Sequence, residues 1–139
     1  MEIRYPAKFK REENSIFVEF PDLPDTFTEG KTEEEALFNA AEVLTAMLNW
    51  RLDNDKPIPP PTAKLTNAYY VAPDAKTQAA LLVRYTRTES EFSVADLART
   101  LETSWPAAAR LEDAHHWPTL KQLEKVAAAM GKRLVLAFE

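Results

Sequence analysis

The sequence predicts an α+β protein in two parts. Residues 1–72 read as a β-β-β-α-β domain, and residues 74–139 as an all-α domain with a short C-terminal strand. Three observations carry this. Apolar residues alternate with period two near the start, they recur at helical spacing between 32 and 53, and a proline-rich stretch is followed by short, capped helical segments.

The first strand rests on Ile3, Tyr5, Ala7 and Phe9, which alternate as on a half-buried sheet face. Pro6 lies on the opposite phase and cannot donate to a ladder, which predicts an edge or a bulge. Ile16, Val18 and Phe20 alternate again, and the polar stretch 10–15 between the runs suits a hairpin. The two prolines of PDLPD, residues 21–25, are expected to stop the second strand. A short third strand is expected over Phe27 to Glu29.

Thr32 and Glu35 have capping-box spacing, and Glu33 to Glu35 sit where the positive end of a helix dipole favours acid. Leu37, Ala41, Leu44 and Leu48 then form an apolar stripe. Burial contributes about 1.5–3 kcal/mol for each large side chain of such a stripe. KPIPPP, residues 56–61, is too rich in proline for helix and reads as an extended connector rather than a ligand for an aromatic groove. AYYVA, residues 68–72, is the expected last strand of this half.

Beyond Pro73, residues 74–88 present a broad apolar helical face. Ser93 and Asp96 have cap spacing, and Val94, Leu97, Ala98 and Leu101 supply the buried side of the next helix. Glu102 to Ser104 form a tight turn. A helix over about 105–113 follows, with Pro106 tolerated in its first turn. Thr119 and Gln122 repeat the capping box, and the last helix runs to Met130 and stops at Gly131. KRLVLAF, residues 132–138, reads as a final strand.

Composition excludes several chemistries. With no cysteine there is no disulfide, thiolate zinc site or cysteine nucleophile. With glycine only at 30 and 131, no Gly-rich phosphate loop can form. The longest apolar runs fall well short of the ~18 residues a membrane helix needs, and no signal peptide is read. A cytoplasmic location is the expectation. Glu19, Asp22 and Asp25 lie close together, yet their place beside two prolines argues against a two-metal nuclease. Adjacent His115 and His116 point in different directions, and no third histidine exists to complete a metal site. No catalytic residue, cofactor or metal is therefore expected.

Charge is unevenly placed. Residues 1–73 carry 8 Lys+Arg against 13 Asp+Glu, whereas residues 74–139 carry 9 of each. An acidic domain repels nucleic acid and attracts basic partners.

Two helices joined by a short turn suggest helix-turn-helix. The segment SVADLARTLETSWPAAARLEDA, residues 93–114, is similar to the phage-repressor (Xre-type) version. Ala98 falls at the small position where two helices cross, Leu101, Ala108 and Leu111 at core positions, and Glu112 at the acidic residue after the recognition helix. Glu102 replaces the usual turn glycine, Val94 replaces a common phosphate-binding glutamine, and Trp105 and Pro106 stand where many repressors carry polar base readers.

FPDLP at 20–24, TEGKTEEEALFNA at 28–40, the proline-rich connector and this C-terminal segment together resemble the HicB antitoxins of the longer type, over nearly the whole chain. The resemblance implies a type II antitoxin. Its first domain, a reduced ribonuclease-H-like fold, would bind a small mRNA-cleaving HicA toxin, and its second would bind operator DNA and repress the operon. The charge split makes Glu19, Asp22, Asp25, Glu29 and Glu33, with Leu23 as an apolar contact, the candidate toxin-binding residues. DNA is expected to be read through 103–110. Arg110 reaches a base edge, Thr103 and Ser104 meet phosphate, Trp105 and Ala107 share that helix, and Arg99, Lys121 and Arg84 add backbone contacts. A dimer or tetramer is expected, because one such unit makes too few contacts for a useful specificity ratio. Trp105, Trp117 and the apolar stretch 134–138 are candidates for that interface. The rival function is a ligand-sensing transcription regulator without a toxin partner.

Overall fold

In the computed structural model, which describes residues 1–139, the elements run β1 (Tyr5–Arg11), β2 (Ile16–Phe20), β3 (Leu23–Gly30), α1 (Glu33–Asp53), β4 (Tyr69–Val71), α2 (Ala75–Glu89), α3 (Val94–Thr100), α4 (Trp105–Arg110) and α5 (Leu120–Ala129). The chain is α+β: an antiparallel sheet of order β3-β2-β1-β4 comes first, and helices follow. It divides into two compact units, Met1–Gln78 and Ala79–Glu139. The division lies beyond Pro73 because the start of α2 is tied to α1. Asp74 N–H donates to Thr45 Oγ1 at 3.0 Å, and Thr77 Oγ1 to Asn49 Oδ1 at 2.9 Å.

In the first unit, β1 changes partners along its length. Lys8–Arg11 pair with β2, and Tyr5–Ala7 pair with β4. Pro6 therefore lies where the strand is paired on one side only, which a residue without N–H tolerates. Tyr5, Ala7, Ile16, Val18 and Phe20 face the core.

The third strand is longer than the sequence suggests. The register shifts between Glu19 and Phe20, so Leu23 already pairs with Phe20 and only Pro21 and Asp22 turn the chain. Pro24 is accommodated because β3 is an edge strand.

The buried face of α1 is Ala36, Ala40, Leu44 and Leu48, so its first half is rotated from the stripe expected at Leu37 and Ala41. The reason lies at Gly30. A Cβ there would stand 2.5 Å from Ala36 N and 2.7 Å from Ala36 Cα. Glycine on the strand and alanine on the helix let the two backbones approach this closely.

The connector after α1 is held by side chains. Tyr5 hydroxyl donates to the Pro59 carbonyl at 2.7 Å, Arg51 donates to the Pro57 carbonyl at 2.7 Å, and Tyr70 hydroxyl donates to the Thr62 carbonyl at 2.8 Å.

In the second unit, Val83, Leu97, Leu111, Val126 and Met130 form the core, with Phe92, Leu101 and Leu123 packed against it. Ser93 and Asp96 close a capping box on α3, and Thr119 and Gln122 close one on α5. Helix α4 ends at Arg110, before the expected Asp113. Beyond it Leu111, Glu112 and Asp113 donate to carbonyls three residues back, which tightens the chain into turns. Gly131 ends α5 at φ +69°.

The expected final strand does not form. Residues 132–139 carry no secondary structure, and Val135, Leu136 and Phe138 are exposed. A strand needs a neighbour for its backbone groups, and the elements of this unit are all helices.

Candidate functional site

The acidic candidates of the first unit fall into two groups. Three are engaged by the chain itself. Asp22 Oδ2 accepts the Thr62 N–H at 2.8 Å and Oδ1 accepts its hydroxyl at 2.6 Å, pinning the connector to the β2–β3 turn. Asp25 accepts Arg51 Nη2 at 2.8 Å, and that hydrogen bond holds its carboxyl below its ordinary value. Glu33 accepts the Tyr69 hydroxyl and, at 3.2 Å, Arg11 Nη2. The Tyr69 hydrogen bond, and after it Arg11, lowers the Glu33 carboxyl, while the same contact raises the Tyr69 phenol.

Leu23 is a correction. It is fully buried, so its side chain offers no contact to a partner. The register shift at Glu19/Phe20 turns it into the core opposite Phe20.

Glu19 and Glu29 remain as exposed carboxylates on the sheet face away from α1. The pairings set Glu19 between Lys8 and Phe27, and Glu29 beside Phe17. The Phe17 and Phe27 rings stand 6.1 Å apart, and Phe27 is 55% exposed. The open sheet face thus combines aromatic surface with both signs of charge.

Sequence reasoning missed these two rings because attention to the core phase passes over apolar residues on the polar phase. It also missed Phe38 and Trp50, both exposed on α1. With Glu34, Glu42 and Ala46 they form a stripe spaced by four residues, visible on a helical wheel.

In the second unit, Thr103, Ser104, Trp105 and Arg110 are exposed, and Ala107 is half-buried. The turn before α4 places Glu102 at φ +55°, the conformation a glycine adopts most easily. Ser104 is partly committed, since its Oγ accepts the Ala107 N–H at 3.2 Å as the cap of α4. Arg99 on α3 pairs with Asp96 at 3.0 Å. Lys121 is exposed in the first turn of α5, and Arg84 is half-buried on α2.

Behind this surface lies a brace the sequence did not announce. Arg87 Nε and Nη2 donate to Glu112 Oε2 and Oε1 at 2.5 and 3.0 Å, and Nη1 donates to the Phe92 carbonyl at 2.8 Å. The guanidinium is held above its ordinary value by the Glu112 hydrogen bonds. The pair joins α2 to the segment after α4 and to the loop before α3.

A family model described as the HicB_like antitoxin of bacterial toxin-antitoxin systems matches residues 4–79. The chain belongs to the HicB-like antitoxin family. "Antitoxin HicB 2" of Photorhabdus laumondii is 32% identical over 134 residues, 96% of this chain and 95% of that protein. "Antitoxin HicB 1" of the same organism is 32% identical over 140 residues, covering 99% and 88%. "Antitoxin HicB" of Escherichia coli K12 is 25% identical over 137 residues, covering 98% and 99%. The family model thus spans the first unit of this HicB-like chain, while the relatives extend through the second. No helix is long and apolar enough to cross a membrane.

Proposed function

We propose that this HicB-like chain binds and neutralises a small mRNA-cleaving toxin of the HicA type, and represses its own operon as a dimer or tetramer on operator DNA. The first unit, read as a reduced ribonuclease-H-like domain, holds the toxin. Its strand order and single covering helix support that reading. The exposed Glu19 and Glu29 steer a basic partner, and the neighbouring aromatic rings slow its release.

The second unit is read as a helix-turn-helix. The observation that carries this is the pair α3 and α4, each capped by serine and joined across Glu102, with Thr103 to Arg110 presented outward from the core. The chain does no hydrolysis of its own: Asp22 serves as a structural clamp on Thr62, and Asp25 as a partner of Arg51.

Growth rescue tests the reading. The full chain, expressed with a short basic protein encoded beside it, restores growth. The Glu19→Lys, Glu29→Lys double variant, folded and equally abundant, restores it poorly. Failure of the parent chain to rescue rejects the antitoxin reading for that partner. Incubation with Mg²⁺ or Mn²⁺ leaves RNA, DNA and hybrids intact, and cleavage lost in Asp22→Asn restores the nuclease reading.

A further inference from the structure

Helix α4 carries an apolar outward face. Ala108 and, just past the helix, Leu111 are buried, whereas Trp105 is 56% exposed and Pro106 and Arg110 are exposed with it. Over residues 103–110 the only charged side chain is Arg110. A helix presented to DNA in a helix-turn-helix meets base edges with its N-terminal residues. Here those residues are a tryptophan and a proline, whose side chains hold one donor and no acceptor.

Backbone donors at this end are largely spent within the chain. Pro106 has no N–H, the Ala107 N–H donates to Ser104 Oγ at 3.2 Å, and the Ala108 N–H donates to the Ser104 carbonyl at 3.0 Å. The Thr103 N–H donates to the Ala98 carbonyl at 2.9 Å. What α4 offers at its start is therefore the indole. Side chains of a helix lean toward its N-terminus, so a ring on the first residue extends past the helix end instead of lying along it.

We propose that Trp105 reads thymine, by packing its indole against the C5-methyl group in the major groove. The thymine methyl is the apolar feature of the major-groove code, so an apolar reader discriminates through it and not through donors and acceptors. Arg110, on the same exposed face of α4, is left to the polar base contact. DNA suits this face because no carboxylate occurs over 103–110. The ring is flanked by the Thr103 and Ser104 hydroxyls on one side and by a cation on the other, which a polyanion favours. The role rests on the helix-turn-helix reading of the second unit, and adds a base preference which that reading does not contain.

Deoxyuridine differs from thymidine only in lacking that methyl. Duplexes of the chain's own promoter are made with each dT replaced in turn by dU, and binding of the full chain is read by fluorescence anisotropy. At one thymine of a half-site the replacement weakens the parent chain about fourfold, the change expected for one buried carbon. Trp105→Ala binds the unmodified promoter about tenfold more weakly and no longer distinguishes dT from dU there, yet keeps the parent's salt dependence because no phosphate contact is lost. Trp105→Phe keeps part of the preference. Trp105 is exposed, so both variants melt as the parent does. A parent chain that binds the promoter with no dU-sensitive thymine, or a dU penalty undiminished in Trp105→Ala, overturns the inference and leaves the repressor reading standing. A Trp105→Ala chain that loses mass in light scattering while its dU penalty matches the parent's assigns the ring to a contact between copies, and overturns it equally. A parent chain that binds no promoter DNA rejects both.

Discussion

Arg87 and Glu112 meet side-on, two guanidinium nitrogens against two carboxylate oxygens, across 25 residues of sequence. Their side chains are only 18% and 12% exposed. Removing one partner leaves the other charge poorly solvated, which is costlier than removing both. Glu112→Ala therefore destabilises the second unit by about 3 kcal/mol. The Arg87→Met, Glu112→Ala double variant loses less than the sum of its single changes. Urea unfolding of all four proteins checks this, and additive losses would show that the pair is uncoupled.

Gly30→Ala drives a methyl into the backbone of Ala36. Neither backbone can yield as a flexible side chain would, so the first unit loses about 1–3 kcal/mol. Differential scanning calorimetry reads the loss. An unchanged melting temperature contradicts the close approach of α1 to β3.

Glu102→Gly acts in the opposite direction. At φ +55° an L side chain is strained, and glycine relieves about 1 kcal/mol of this. The gain is smaller than the strain because glycine also frees the unfolded chain. Thermal unfolding that is unchanged or worse for Glu102→Gly refutes the strain.

Acid weakens each unit through a carboxyl held below its ordinary value. Asp25 has its carboxyl lowered in the folded state, first by its hydrogen bond from Arg51. A lowered carboxyl contributes stability above its unfolded value, near 3.8, and loses that contribution as pH falls through the folded value. Asp25→Asn therefore flattens the fall in stability below about pH 4. Asp96 is lowered by its Ser93 backbone hydrogen bond, so Asp96→Asn does the same for the second unit. Equal acid slopes for parent and variants contradict the assignment.

Arg110→Ala is expected to cost about 1–3 kcal/mol of operator affinity and to relax specificity at one position. Lys121→Ala is expected to weaken binding evenly across sequences and to reduce its salt dependence. Gel shifts with the native promoter and with single-base variants separate the two. Binding unaffected by Arg110→Ala rejects α4 as the reading helix.

Local chemistry was legible without any structure. Thr32, Ser93 and Thr119 cap their helices because each cap involves backbone groups within three residues, while the same role of Ser104 emerged only from the structure. The alternation over Ile16–Phe20 sets the inward face because side chains on a strand alternate, whereas on Tyr5–Arg11 Pro6 is buried along with Tyr5 and Ala7, so alternation alone does not give its burial. Family membership was also legible, since FPDLP and the α1 segment lie in continuous stretches.

What required the tertiary structure involves partners far apart. The shift at Glu19/Phe20 that buries Leu23, the claim of Thr62 on Asp22, and the meeting of Arg87 with Glu112 depend on which strands and helices become neighbours. The close contact at Gly30 decides which face of α1 is buried. The strand pattern at 132–138 shows the limit from the other side: its residues favour extension, but a ladder forms only when another backbone supplies the opposite half of each hydrogen bond.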